Sequence, residues 1–156
     1  MQWPKEIKGG QVFDKPIISL DIFATSKALT SPNIPSKNEL HGVNLIPFLK
    51  GDNLEAPHEF LFWRNNLMQK EKENRVEASA VRSEKFKFVK NKQVDALYNL
   101  KNDISEKTDL KNLDIDNYNK LVNEHKKWLE TLKAPIFLGL LANKEYNKLN
   151  PDRFKN

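Results

Sequence analysis

Apolar and polar positions alternate most regularly between Val76 and Leu110 (VEASAVRSEKFKFVKNKQVDALYNLKNDISEKTDL). The stretch predicts three short strands, Glu77–Arg82, Phe86–Lys90 and Ala96–Leu100. They are joined by the brief polar connections Ser83-Glu84-Lys85 and Asn91-Lys92-Gln93, which are of hairpin length. Phe86 and Phe88 alternate with Lys85, Lys87 and Val89, the period of a sheet with one buried face. A further strand is predicted over Ala56–Arg64. His58, Phe60, Phe62 and Arg64 point to one side, and Glu59, Leu61 and Trp63 to the other. Both sides are mostly apolar, so this strand is expected at the centre of the sheet or covered on each face. Between it and the alternating stretch, Asn65–Glu77 is polar, highly charged and longer than an ordinary hairpin loop.

Elsewhere the spacing turns helical. Tyr118, Leu121, Val122, His125, Trp128, Leu129 and Leu132 share one face, with Lys120, Asn123, Glu124, Lys126, Lys127 and Glu130 on the other. This helix is expected to cover the sheet, capped by Asp114 or Asp116 and ended by Ala134-Pro135. His125 lies on its buried stripe, where a hydrogen-bonded core histidine is expected rather than a ligand. The tail, Ile136–Leu141 with Tyr146 and Phe154, is apolar enough to pack down. Near the start, Ser19–Leu29 predicts another helix, with Ser19 as N-cap and Asp21 in its first turn. Leu20, Ile22, Phe23, Ala24, Ala28 and Leu29 leave it little polar surface, so it needs burial nearly all round. A chain of 156 residues offers few partners for such a helix. Thr30–Asn38 is a Pro/Ser/Asn linker, and Leu40–Gly51 predicts a turn and a short helix stopped by glycine. The fold class is α+β, a small antiparallel sheet of about four strands packed against a C-terminal helix.

Composition narrows the function classes. No apolar run approaches the ~20 residues of a membrane helix, and Met1-Gln2-Trp3-Pro4-Lys5 does not open a signal peptide. With no cysteine, disulfide and thiol chemistry are excluded. The net charge of +5 comes from 26 basic residues interleaved with 21 acidic ones, as in MQKEKENRVE. That pattern is a solvated face, and it lacks the aromatic spacing of a nucleic-acid platform.

Five segments, in order, resemble the carboxy-terminal portion of the sulfatases of the alkaline-phosphatase superfamily. Trp3-Pro4 with Ile7 and Gly10, and Pro16–Thr25 with its Asp21, are similar to the last strand and helix of that family's α/β domain. Leu40-His41-Gly42-Val43-Asn44-Leu45 is similar to its L-D-G-V-[SN]-L turn, with His41 where the family prefers Asp. Pro57-His58-Glu59 through Trp63-Arg64, and Ala80-Val81-Arg82 with Leu97-Tyr98-Asn99-Leu100, complete the series. The resemblance implies that residues 1–30 are a remnant of the α/β catalytic domain, a strand and a helix, and 31–156 the C-terminal subdomain. It also marks His58, Arg64 and Arg82 as candidates for contact with an anionic substrate, a sulfate ester or sulfated glycan. The alternative for the arginines is pairing with Asp or Glu, or snorkelling at the sheet edge.

Sulfatases hydrolyse sulfate esters with a formylglycine made from a C/S-x-P-x-R motif and a calcium ion. These 156 residues contain no such motif. The resemblance therefore implies a C-terminal piece of a sulfuric ester hydrolase that completes fold and cleft and is inactive alone, its catalytic portion lying elsewhere, in a truncated chain or a gene fragment. Two alternatives stay open: a stand-alone module binding sulfated glycans, and a structural partner of a separate catalytic chain. Export to the periplasm or beyond follows by analogy with the family.

Overall fold

The computed structural model describes residues 2–30, 40–68, 75–132 and 148–149. In chain order they form α1 (Leu20–Thr30), α2 (Ile46–Lys50), β1 (Leu61–Met68), β2 (Arg75–Arg82), β3 (Phe86–Lys90), β4 (Asp95–Asn99) and α3 (Ile115–Thr131). The linker after Thr30 and the tail positions Pro135, Ile136–Leu141, Tyr146 and Phe154 lie outside the described residues. Among those described, no helix is long and apolar enough to cross a membrane. The chain divides into two compact units, Met1–Leu61 with Arg82–Lys85, and Phe62–Val81 with Phe86–Asn156.

In the second unit the four strands form one sheet in the order β1-β2-β3-β4. β3 and β4 are antiparallel with Phe88 opposite Leu97 and Lys90 opposite Asp95. Directly opposed residues share a face, so Phe86, Phe88, Leu97 and Asp95 line one side. α3 covers that side. Phe88 and Leu97 of the sheet and Leu121 of α3 are fully buried. The Phe88 ring meets Tyr118 edge-on at 5.7 Å and His125 at 5.4 Å, and Phe62 stacks on Trp128 at 5.0 Å. His125 is thus a core residue, 3% exposed. Asp114 caps α3, its carboxylate accepting from the Asn117 N–H at 3.2 Å. The Tyr118 hydroxyl donates to Asp95 Oδ1 at 2.8 Å, tying the helix start to β4.

The sheet departs from expectation at one side. β1 is an edge strand, not a central one. Phe62 finds cover on α3, and Leu61 is buried, but Trp63 on the opposite face from Phe62 is 41% exposed. Apolar residues on both sides of a strand therefore did not require a neighbour at each edge. The hairpin arms also run further than the polar sequence suggested, since β1 extends to Met68 and β2 begins at Arg75. Ladder hydrogen bonds are made by backbone, so a polar sequence does not prevent pairing. The other edge strand is protected. Asp109 Oδ1 accepts from Leu97 N–H at 3.0 Å, and Leu110 N–H donates to the Leu97 carbonyl at 2.8 Å.

In the first unit, residues 2–19 carry turns rather than the expected remnant strand. The Trp3 carbonyl accepts from the N–H groups of Glu6 and Ile7 at 3.0 and 2.8 Å. A strand needs a neighbour for its backbone groups, and Pro4, Gly9-Gly10 and Pro16 interrupt any long extended run. α2 has Pro47 in its first turn and ends at Gly51, whose φ of 84° is the left-handed cap glycine supplies freely.

Candidate functional site

α1 faces the wrong way for an ordinary surface helix. Its buried residues are Asp21, Ala24 and Thr25. Leu20, Ile22, Phe23 and Leu29 are 50–68% exposed. The polar side is turned inward because it is fully used. Asp21 and Thr25 stand four apart, on one helical face. The Asp21 carboxylate accepts from Ile18 N–H at 2.9 Å and Val43 N–H at 3.0 Å, while Thr25 Oγ1 accepts from Leu45 N–H at 3.0 Å. Gly42 permits this approach. A Cβ there would run into the Leu20 carbonyl and stand 2.8 Å from Asp21 N.

His58 completes the clasp from 37 residues away. Its Nε2 lies 2.8 and 3.0 Å from the two Asp21 oxygens. A carboxylate only accepts, so Nε2 carries the proton and donates. Asp21 is 0% exposed and the His58 side chain 11%. Burial pushes the Asp21 carboxyl up, but the Ile18 and Val43 N–H groups, then His58, outweigh it, and its pKa lies below the ordinary value. Sequence alone supplied each residue separately, with Asp21 as a first-turn acid and His58 as a candidate substrate ligand. Nothing in their spacing announces that they meet.

The arginines are placed less centrally. Arg64 is half-buried within β1. Arg82 ends β2, half-buried, and its Nε is enclosed with no hydrogen-bond acceptor among the described residues. An enclosed guanidinium N–H without an acceptor is costly, about 1–3 kcal/mol or more. His41 is exposed. In the same unit, the N-terminal turns, α1 and α2 enclose a groove of about 1030 Å³ lined by Trp3, Phe13, Ile17, Ile22, Phe48 and Leu49 among others. A Lys50–Glu6 ion pair at 2.8 Å and Lys15 Nζ on the Leu54 carbonyl at 2.5 Å tie the turns to the segments around α2.

Comparison with known proteins bears on this geometry. The family described as N-sulphoglucosamine sulphohydrolase, C-terminal, matches residues 1–135. Human steryl-sulfatase is 37% identical over 62 residues, 40% of this chain and 11% of its own length. The chain thus spans about a tenth of the curated relatives it matches. Among solved structures, that of Ps i-CgsB in complex with k-i-k-neocarrahexaose is similar with a TM-score of 0.74 and 26% identity, over 97% of this chain and 33% of that one. BT4656 in complex with its substrate D-glucosamine-2-N,6-O-disulfate shares the fold, with a TM-score of 0.57 and 20% identity, over 99% of this chain and 29% of that one.

Proposed function

Because the chain belongs to the N-sulphoglucosamine sulphohydrolase C-terminal family, and so to the sulfatases, we propose that it completes the fold and substrate cleft of a sulfuric ester hydrolase. The catalytic portion of that enzyme is assigned to the family architecture outside these residues. The observation that carries the reading is the match of the whole region from residue 1 to 135 in a chain without Cys or a Ser-x-Pro-x-Arg. The described residues do not fit the family's metal. Among those described, no three His, Asp or Glu side chains converge as a metal site would require. Calcium and formylglycine therefore belong, in this reading, to the catalytic portion, and no step is routed through them here.

The substrate class we assign is a sulfated sugar, by likeness to Ps i-CgsB and BT4656, both solved with saccharides. Arg82 is the side chain best suited to a sulfate or other acidic oxygen, because its enclosed Nε lacks an acceptor among the described residues. Arg64 is a second guanidinium on the sheet. His58 contributes by way of its Asp21 bond, which leaves Nδ1 as the ring atom facing elsewhere. The test is reconstitution. The 156-residue chain would be co-expressed with the part of Ps i-CgsB outside its matched third, and sulfate release measured on neocarrahexaose. Release only when both are present supports the reading, and Arg82→Ala lowers it in kcat/KM. No release from the pair overturns it.

A further inference from the structure

The Asp21–His58 bond occupies one ring nitrogen and leaves the other open. We infer that Asp21 is a positioning residue that holds His58 as the Nε2–H tautomer, so that His58 Nδ1 accepts a hydrogen bond from a hydroxyl of the sulfated sugar and takes no part in holding its sulfate. The inference rests on the function proposed above and deepens it, by naming the group of the substrate that His58 reads.

A neutral imidazole has one N–H donor and one lone-pair acceptor, and the bond made by one nitrogen decides the role of the other. Nε2 lies 2.8 and 3.0 Å from the two Asp21 oxygens, so the proton sits there. Asp21 is itself held in place. It is 0% exposed, and the N–H groups of Ile18 and Val43 bind one oxygen each at 2.9 and 3.0 Å. A carboxylate fixed in this way offers His58 an acceptor and nothing else. Nδ1 is therefore the lone-pair atom. It has no hydrogen-bond partner among the described residues, and unlike Arg82 Nε it is not enclosed.

That polarity selects the ligand group. A sulfate ester offers only acceptor oxygens, so a lone pair facing one gains no bond. A sugar hydroxyl offers a proton. Arg82, in the same compact unit as His58, has the opposite polarity: a guanidinium carries donors only, and its Nε lacks an acceptor among the described residues. A sulfated sugar carries partners for both, with sulfate oxygens for the arginine and hydroxyls for the histidine.

The test follows isotope-labelled histidine by nitrogen NMR, with the His58 signals identified by their loss in His58→Gln. In the free wild-type chain at neutral pH, His58 carries its proton on Nε2 and none on Nδ1. A proton on Nδ1, alone or together with Nε2, overturns the inference and leaves the proposed function untouched. In the co-expressed pair, saturating neocarrahexaose shifts the Nδ1 resonance as an acceptor. An unmoved Nδ1 in a pair that still releases sulfate also overturns it, with the proposed function standing. Asn in place of an orienting Asp favours the other tautomer. Asp21→Asn therefore turns Nδ1 into a donor and raises KM about tenfold while sparing kcat, as loss of one hydrogen bond to bound substrate should. A moved proton with an unaltered KM sinks the inference; if Asp21→Asn loses the wild-type circular dichroism, the two measurements on wild type decide. No sulfate release from the pair removes the proposed function, and the inference with it.

Discussion

Replacing Asp21 by Ala removes one carboxylate and strands three donors, the N–H groups of Ile18 and Val43 and the His58 Nε2–H. Each buried donor left without an acceptor costs about 1–3 kcal/mol. Ile18 and Val43 are only part-buried, so water reaches some of what is lost. A net loss of about 3 kcal/mol is expected, summed over the three stranded donors. The readout is local. Hydrogen exchange at Val43 should accelerate about 100-fold, since each factor of ten is about 1.4 kcal/mol. Leu45, held by Thr25, should follow as the segment lifts, while amides of β3 and α3 keep their protection. The same bond fixes a pH dependence. The Asp21 pKa is lowered in the folded chain, so its stabilisation is present above the ordinary carboxylate value near ~3.9 and lost as pH falls through the depressed one. Val43 protection should thus hold at pH 5 and fall below about pH 4 in the wild type. In Asp21→Asn that acid step should be absent. A change of under threefold at Val43 in Asp21→Ala, or an unaltered acid step in Asp21→Asn, would refute the clasp.

Three further outcomes are expected. Gly42→Ala should lower the urea midpoint of the first unit by the equivalent of about 2 kcal/mol or more, because the added methyl meets the backbone of Leu20 and not a movable side chain. Phe88→Ala should destabilise the sheet and α3 by about 3–5 kcal/mol in chemical denaturation, as the ring fills the fully buried space under Tyr118 and His125. Tyr118→Phe should cost about 1 kcal/mol by thermal melting, from loss of the bond to Asp95. Burial and then that bond hold the Tyr118 phenol above its ordinary pKa, so in an ultraviolet titration the variant should lose a late-ionising tyrosine.

Local patterning carried the second unit. Phe86–Lys90 is the strand its alternation predicts, and the helical stripe from Tyr118 to Trp128 does cover the sheet. These features depend on neighbours a few residues away, which a sequence displays. Strand order does not: apolar residues on both sides of β1 fit a central strand or one covered on each face, and it lies at an edge. The first unit was less legible for the same reason. That Ile22 and Phe23 are apolar is plain in the sequence; that they point outward depends on Asp21 and Thr25 finding acceptor roles 20 or more residues away. The resemblance marks His58 as a candidate for contact with substrate; that it also bonds an acid on a different element is not legible in the sequence.

The central claim, that these residues buttress a catalytic portion and do not hold the reactive groups themselves, is tested most directly by sulfate release from an aryl sulfate with the purified 156-residue chain, host sulfatases deleted. The account predicts no release above buffer from the chain alone. Sustained turnover that tracks the pure polypeptide, and that survives further purification, would contradict it.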